Sequence, residues 1–315
     1  YMDKIMEFNE WLSDFLWGVP MIVVLLFGGI FLVCKSKFWV FKNFNYIFKN
    51  TFGRLFKDSD SDKDSISPFQ AVSTALAGTI GAGNIVGVAT AISFGGPGAI
   101  FWMWLAAIIC MTTKMVEVTM AVATRERDED GKYIGGPMYY ISKGTGSKFL
   151  AKLFSFFAFI AIIGTGALVQ ANSISESLNN MTGISLSLAG IFIVVFMVLV
   201  VIGGIKRIGS FAEKVVPFMA IFYIIGCIVI LVSQRNEIIP ALKRIVVGAF
   251  TTSSAAGGFA GTTMIMSVRW GLARGIFSNE AGLGTAPMAH ATSHTDHPIR
   301  PVSYTHLRAH ETKAN

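Results

Sequence analysis

Charged residues are scarce in this sequence. Asp, Glu, Lys and Arg together make up 14% of its 315 residues, whereas a typical soluble domain carries about 25%. None of the four occurs in the 49 residues from Ser65 to Thr113, and the core of a soluble protein does not need so long an uncharged run. The composition therefore excludes an ordinary water-soluble protein.

Motifs for catalysis or metal binding are also missing. The sequence contains no Gly-x-Ser-x-Gly, P-loop or His-Glu-x-x-His motif, so we expect no enzyme and no catalytic residues. His290, His294 and His297 are spaced like metal ligands, but no Cys or firm carboxylate partner accompanies them, so we expect no metal site. The few cysteines lie at or inside apolar runs without a Cys-x-x-Cys pair, which is typical of small packing residues: Cys34, Cys110 and Cys227.

Hydrophobic residues, in contrast, make up 53% of the chain. They form uncharged runs of about 20 residues or more, the length that an α-helix needs to cross about 30 Å of hydrocarbon. The run from Ser65 to Thr113 contains two helices joined by a turn at Gly95-Gly96-Pro97-Gly98. The sequence thus predicts an all-α polytopic membrane protein with spans at about Leu16–Cys34, Pro68–Phe94, Ala99–Thr124, Phe149–Ala171, Ser185–Gly203, Val215–Ser233 and Arg244–Val268.

Lys and Arg are distributed unequally between the loops. The loops after spans one, three and five carry 15 of them, and the N-terminus with the loops after spans two, four and six carries 4. Because basic loops stay in the cytoplasm, we expect a multi-pass protein of the cell membrane with its N-terminus outside. The net charge of +7 then belongs to membrane loops, so we expect the lipid bilayer as a partner and no nucleic acid.

Three segments precede the second span. Residues 1–15 place Ile5, Phe8, Leu12 and Phe15 at helical spacing among acidic residues, which predicts an amphipathic helix at the membrane interface. Residues 16–34 form the first transmembrane helix, and residues 35–67 form a polar cytoplasmic loop.

Spans two and seven are poor helices. Span two contains Gly78, Gly81 and Gly83 within six residues, and no Leu, Ile, Val or Met occurs from Gly248 to Thr263 in span seven. Glycine in a helix interior costs about 1 kcal/mol relative to Ala, and unwound backbone at membrane depth is tolerated only beside protein or a water-filled cavity. Two interrupted spans in corresponding positions favour the binding site of a secondary transporter. The alternative is a pair of small-residue seams for close helix packing.

Four motifs occur in order along the chain. They are GTIGAGNIVGVATA (Gly78–Ala91), GGPMYY (Gly135–Tyr140), VQANS (Val169–Ser173) and GLARGIFSNEAGLG (Gly271–Gly284). Together they resemble the alanine or glycine:cation symporter family. The resemblance implies the leucine-transporter-like fold of the APC superfamily, in which ten core helices form a 5+5 inverted repeat after one peripheral helix. It also implies sodium-coupled import of small neutral amino acids, chiefly alanine or glycine, with Na⁺ as the coupling ion and no other cofactor.

The resemblance further implies roles for residues at the matching positions. The substrate-binding residues would be Thr79, Gly81, Ala82, Gly83, Gln170, Asn172, Gly257, Gly258, Phe259 and Thr262. The sodium ligands would be Thr79 and Asn84 together with the backbone carbonyls near Ala77 and Ile80.

The sequence departs from that family in its number of spans. Only about 7 of 11 transmembrane helices are present, so residues 68–300 would be a partial transporter core, made of the first repeat and the start of the second. Residues 301–315 are polar, match nothing expected of the next span and are interpreted as a non-native tail. We expect such a chain to bind alanine undetectably. The alternative function is a proton- or other cation-coupled transporter of another small solute.

Two further interpretations concern polar residues outside these motifs or at their edges. Lys114 and Glu117 lie three residues apart in span three and are interpreted as a structural ion pair. Ser278 and Asn279 are expected to cap the N-terminus of a helix whose first turn contains Glu280; the alternative is that Glu280 belongs to an inner gate.

Overall fold

Helices account for nearly all of the described structure. The computed structural model describes residues 2–16, 18–43, 68–81, 84–251 and 264–292. In chain order the helices are α1 (Met2–Leu16), α2 (Val19–Lys35), α3 (Trp39–Lys42), α4 (Pro68–Thr79), α5 (Val86–Gly95), α6 (Ala99–Thr124), α7 (Pro137–Thr145), α8 (Lys148–Ala161), α9 (Val169–Thr182), α10 (Leu186–Val201), α11 (Gly204–Ser233), α12 (Ile238–Phe250), α13 (Met264–Asn279) and α14 (Thr285–Ala291). A π-helical segment (Ile162–Leu168) joins α8 to α9, a 3₁₀ turn (Arg235–Glu237) precedes α12, and strands β1 (Glu126–Arg127) and β2 (Tyr133–Ile134) form a hairpin.

Several of these helices have the length and composition of membrane spans. Among the described residues, α6, α11 and the continuous helix Lys148–Thr182 are long and apolar enough to cross a bilayer, and shorter apolar helices cover Pro20–Lys35, Val86–Gly95 and Leu186–Val201. The prediction of a mostly helical protein with several apolar spans is therefore confirmed. The start of α2 lies at Val19, later than predicted, because Gly18 is extended (φ −82°, ψ −164°) and separates α1 from α2.

The chain divides into two compact units. Unit 1 comprises Tyr1–Lys42, Gly83–Thr113 and Ile225–Gly282, and unit 2 comprises Asn43–Ala82, Lys114–Ile224 and Leu283–Asn315. Within unit 1, α13 packs against α5: the Ser267 hydroxyl donates a hydrogen bond to the Gly95 carbonyl, and Arg274 lies beside Gly87. These two contacts show that α13 runs antiparallel to α5.

Glycines let α13 approach α6 closely. A Cβ added to Gly271 would overlap the Ala99 carbonyl, and one added to Gly275 would lie 3.1 Å from the Met103 Cα atom. The two glycines are four residues apart, the spacing of a small-residue seam between membrane helices. An apolar cluster continues this contact within unit 1: Ile22, Ala106, Cys110, Leu272, Ile276 and Ala281.

A short hairpin stands in unit 2 between α6 and α7. Its register pairs Glu126 with Ile134 and Arg127 with Tyr133. The turn is closed by Asp128, whose carboxylate accepts a hydrogen bond of 2.8 Å from the Lys132 N–H, and by Gly131, which takes a positive φ of 79°. Aspartate and glycine are the residues that such turns favour.

Helix α14 packs against α4 and against β2 within unit 2. The Arg125 Nη1 atom donates a hydrogen bond of 3.2 Å to the Ala291 carbonyl at the end of α14. The same guanidinium lies over the Tyr133 ring, 3.7 Å from its centroid. The hairpin is thereby fastened to the C-terminal end of α14, where cations are favoured.

The seventh span differs from its prediction at both ends. Its first helix, α12, begins earlier, at Ile238, and its last helix, α13, continues to Asn279. Arg269 and Arg274 end the apolar run in the sequence, but the structure places both on a helix that packs against α5 and α6. A span predicted from hydropathy ends at the first charged residue, whereas the packed helix continues past it.

The expected N-cap at Ser278 and Asn279 is wrong. Both residues lie in the last turn of α13, and Glu280 follows in a turn with a φ of 50°. Residues with positive φ commonly end helices, and the next helix begins only after Gly284, which has a φ of 84°. Residues 44–67 of the predicted loop and the whole predicted tail 301–315 lie outside the described residues, so both interpretations stay predictions.

Candidate functional site

The predicted second span is broken near its middle. Helix α4 ends at Thr79 and α5 begins at Val86. The Ile80 N–H donates the last helical hydrogen bond, 2.7 Å long, to the Leu76 carbonyl. The next carbonyl along the chain is that of Ala77, and no backbone N–H of the described residues donates a hydrogen bond to it. The predicted interruption is therefore confirmed, and it leaves carbonyl oxygens at the end of α4 open to another partner.

Two of the predicted substrate residues, from separate motifs, meet at this break. A Cβ at Gly81 would lie 2.8 Å from Gln170 Nε2 and 3.1 Å from Gln170 Oε1. Gly81 does not have a positive φ, so glycine is required here for space rather than for backbone conformation. The amide of Gln170 thus packs directly against the unwound backbone, where it can donate and accept hydrogen bonds.

Gln170 is positioned by an irregular stretch of its own helix. The π-helical segment ends at Leu168, and α9 begins at Val169, one residue before Gln170. π-Helical segments are rare and frequently occur at functional sites. This segment was not predicted, although its glycines, Gly164 and Gly166, indicate a weak helix.

Asn172 is not brought to the same place. It lies two residues after Gln170, which is roughly 200° around an α-helix. Its side chain is exposed, and its Nδ2 atom donates a hydrogen bond of 2.9 Å to Glu176 Oε1 on the same helix. Its predicted contact with substrate stays a prediction.

The other predicted residues are only partly described. Ala77 and Thr79 belong to the last turn of α4, and Asn84 lies two residues before α5. Ile80 is exposed. The remaining substrate residues lie outside the described residues: Ala82, Gly83, Gly257, Gly258, Phe259 and Thr262.

The first helix of the seventh span is fixed within unit 1. Its last turn touches the start of α6, because a Cβ at Gly98 would overlap the Gly248 carbonyl. The Trp102 indole N–H donates a hydrogen bond of 3.2 Å to the Ala249 carbonyl. Helix α12 ends directly afterwards at Phe250, where Thr251 is extended (φ −119°, ψ 152°), and α13 covers Met264–Asn279.

Unit 2 also contains buried charged side chains. Lys114 is 8% exposed, and one carboxylate oxygen of Glu117 is fully buried. Burial, followed by the negative charge of Glu117, raises the pKa of Tyr140 above its ordinary value. Burial also lowers the pKa of Arg125. The ion pair interpreted for Lys114 and Glu117 stays a prediction.

His290 is 1% exposed within α14, whereas His294 and His297 lie outside the described residues. The described residues contain no group of three or more His, Cys, Asp or Glu that could hold a metal ion.

Comparison with known sequences decides the family. Residues 2–307 match the sequence profile of the sodium:alanine symporter family. The chain belongs to the sodium:alanine symporter family. This is a family of membrane transporters and not of enzymes.

Similar family members come from bacteria and archaea. The chain is 47% identical to the uncharacterized transporter YflA of Bacillus subtilis, over 95% of this chain and 63% of that protein. It is 44% identical to the sodium/alanine symporter AgcS of Methanococcus maripaludis, over 91% of this chain and 63% of that protein. It is 41% identical to YrbD of Bacillus subtilis, whose name describes a sodium/proton-dependent alanine carrier, over 93% of this chain and 59% of that protein. The chain therefore spans about 60% of the length of these relatives.

Proposed function

We propose that the protein acts as a sodium-coupled symporter that imports alanine or glycine, built on a leucine-transporter-like 5+5 inverted repeat. The observation that carries this proposal is the interrupted second span, where the Gln170 amide packs against Gly81. Interrupted helices of this kind bind substrate and coupling ion in secondary transporters. The family membership and the name of the AgcS relative support the choice of Na⁺ and alanine.

The end of α4 supplies oxygen ligands of the kind that Na⁺ prefers. Its carbonyls at Ala77 and Ile80 precede the break, and the hydroxyl of Thr79 and the amide of Asn84 add two side-chain oxygens. Free carbonyls at a helix C-terminus also carry partial negative charge, which favours a bound cation. We assign the sodium site to these four residues.

The glycine-rich break suits a small amino acid. Backbone N–H groups at Ala82 and Gly83 would hold the substrate carboxylate, with Gly81, Thr79 and Gln170 beside it. The second interrupted span would complete the pocket through Gly257, Gly258, Phe259 and Thr262. The glycines at these two breaks leave room for a methyl group but not for a branched side chain, so larger amino acids are excluded sterically.

We assign the protein to the cell membrane with its N-terminus outside, because the basic loops place the cytoplasmic side. Helix α1 would lie in the outer interface. The apolar residues Ile5, Phe8, Trp11 and Phe15 are all exposed along one face, and the Trp11 ring stacks on Phe15 with centroids 5.9 Å apart. Exposed aromatic side chains next to an apolar span are typical of the membrane interface.

Transport assays test the proposal. A chimera in which residues 1–300 are followed by the C-terminal part of AgcS is reconstituted in liposomes and assayed for labelled alanine uptake. We expect accumulation that requires external Na⁺, and none by the 315-residue chain run beside it. Uptake that is equal when choline replaces Na⁺ contradicts sodium coupling.

The sodium site is tested by Asn84→Leu in the same chimera. Loss of one oxygen ligand should raise the Na⁺ concentration for half-maximal uptake about tenfold, roughly 1.4 kcal/mol, without lowering the yield of folded protein. Asn180→Leu, at an exposed position near the end of α9, is the matched control and should leave that concentration unchanged. Equal Na⁺ dependence of both variants argues against Asn84 as a ligand.

Competition by unlabelled amino acids tests the size of the pocket. One methylene is worth only about 1–3 kcal/mol of discrimination in an apolar pocket, so rejection of leucine has to be steric. Alanine, glycine and serine should inhibit uptake far better than leucine or phenylalanine. Strong inhibition by leucine would show that the pocket is larger than proposed.

Proton coupling is the second candidate, favoured by the name of the YrbD relative. It is distinguished by imposing an inward proton gradient in sodium-free buffer. Accumulation of alanine under that gradient supports proton coupling, whereas accumulation only with Na⁺ supports the first proposal.

A further inference from the structure

Arg274 places a positive charge among apolar helices. It lies in α13, and its Cδ atom is 3.7 Å from the position of a Cβ on Gly87, in the first turn of α5. Its neighbour Gly275 packs against Met103 and Ala106 of α6. Both helices at these contacts belong to the uncharged run from Ser65 to Thr113. A charged side chain packed between apolar helices is a candidate functional residue.

The surroundings of this guanidinium contain rings and no described anion. Its Cζ atom lies 5.6 Å from the centroid of the Trp270 ring and 6.0 Å from that of Phe277. Among the described residues, no carboxylate lies within 4.0 Å of it. Ring faces favour a nearby cation but do not neutralise it, so the charge of Arg274 is left without a counter-ion in this part of the chain.

The helix turn that Arg274 touches is also electropositive. The N–H groups of Val86, Gly87 and Val88 precede the first hydrogen bond within α5, which the Ala89 N–H donates to the Ile85 carbonyl. The N-cap residue is Ile85, whose side chain offers no oxygen to them. A helix N-terminus favours an anion, and the Arg274 side chain passes beside this one at its Cδ atom.

We propose that Arg274 recognises the carboxylate group of the transported amino acid and so selects substrates that carry one. The inference rests on the proposed function, which supplies a carboxylate substrate at the break directly before α5. Arginine suits this role because its planar fork binds both oxygens of a carboxylate at once. The rings of Trp270 and Phe277 lie beside the guanidinium and restrict its movement, so Arg274 is a specificity-determining residue.

The test compares alanine with alaninamide, which has the same side chain and amine but no carboxylate. Both are used as inhibitors of labelled alanine uptake by the chimera. In the unsubstituted chimera alanine should inhibit at a concentration at least tenfold lower than alaninamide. Arg274→Gln should abolish most of that preference by weakening alanine about tenfold or more and leaving alaninamide unchanged. Arg274→Lys should keep part of it, since the charge remains.

Arg269→Gln on the same helix is the matched control and should preserve the preference for alanine. Equal weakening of alanine and alaninamide by Arg274→Gln would show that Arg274 only packs against its neighbours, and an unchanged preference would show that Arg274 does not contact the substrate carboxylate. Either result overturns the proposal.

Two further measurements keep the test independent of folding and of sodium coupling. Should Arg274→Gln fail to reach the membrane, Gly87→Leu fills the space beside the Arg274 side chain and should reduce the preference for alanine in the same way; an unchanged preference overturns the proposal. Thermal stabilisation of the purified chimera by alanine, compared with alaninamide, measures recognition directly. If uptake does not depend on Na⁺ but alanine alone stabilises the chimera and Arg274→Gln removes that effect, the proposed function fails while the inference on Arg274 stands.

Discussion

The glycines around α13 differ from those in α10 and α11. At Gly271 and Gly98 a Cβ would overlap backbone atoms of a neighbouring helix, whereas at Gly190 in α10 and Gly226 in α11 it would meet nothing within 4 Å. Most of the apolar side chains of α10 and α11 are exposed, as expected for surfaces that face lipid. Glycine therefore sets the distance between helices at Gly271 and Gly98 and has no packing role at Gly190 and Gly226. The sequence alone does not distinguish these two uses.

The largest loss of stability is expected at Gly271, where an added side chain would overlap the backbone of a neighbouring helix. Gly271→Ala would force α13 away from the Ala99 carbonyl and from Trp102, whose Cβ atom lies 2.7 Å from the new methyl position. Overpacking of this kind costs about 1–3 kcal/mol. Thermal unfolding of the 315-residue chain in detergent should show a clear fall in Tm for this variant. A Tm equal to that of the unsubstituted chain would mean that α13 and α6 are not packed through Gly271.

An intermediate effect is expected at Gly81, where the obstacle is a flexible side chain. Gly81→Ala would place a methyl group 2.8 Å from Gln170 Nε2, and the amide can turn away at little cost in stability. Alanine affinity of the chimera should nevertheless fall about tenfold, roughly 1.4 kcal/mol, because the amide leaves the break. A double-mutant cycle with Gln170→Ala checks the cause: the effect of Gly81→Ala should largely disappear in that background, and purely additive losses would contradict the contact.

The smallest effect is expected at Gly190 and Gly226. Alanine meets no atom at either position and has the higher helix propensity, by about 1 kcal/mol at most. Gly190→Ala and Gly226→Ala should leave the Tm unchanged or raise it slightly in the same unfolding assay. A large fall in Tm for either variant would indicate a close neighbour of α10 or α11 and would remove the contrast between the two regions.

Much of the helix layout follows from charge and turn residues alone. The predicted span Ala99–Thr124 coincides with α6, because a Gly-Pro-Gly turn precedes it and charged residues follow it. The break in the second span was also predictable, since glycine is a poor helix former and occurs there three times within six residues. These features depend on local chemistry, which a single sequence carries.

Features that depend on packing were not predictable in the same way. Helix α13 continues through Arg269 and Arg274 because it is held against α5 and α6, and no local signal records that contact. Gln170 and Asn172 were both expected at the substrate site, yet helix geometry sends them to different faces of α9. The π-helical segment that precedes them depends on which backbone hydrogen bonds form, and its glycines suggest only a weak helix.

The hydrogen bond from Ser267 to Gly95 has a mechanical consequence. It joins α13 to the far end of α5, where Phe94 and Trp270 also stack with centroids 4.9 Å apart. At the opposite end of α5, Arg274 rests on Gly87. Helices α5 and α13, which belong to different spans, are thus in contact at both ends of α5 and form one packed unit. We therefore expect a tilt of either helix to carry the other with it, so that α5 moves together with α13 rather than by itself.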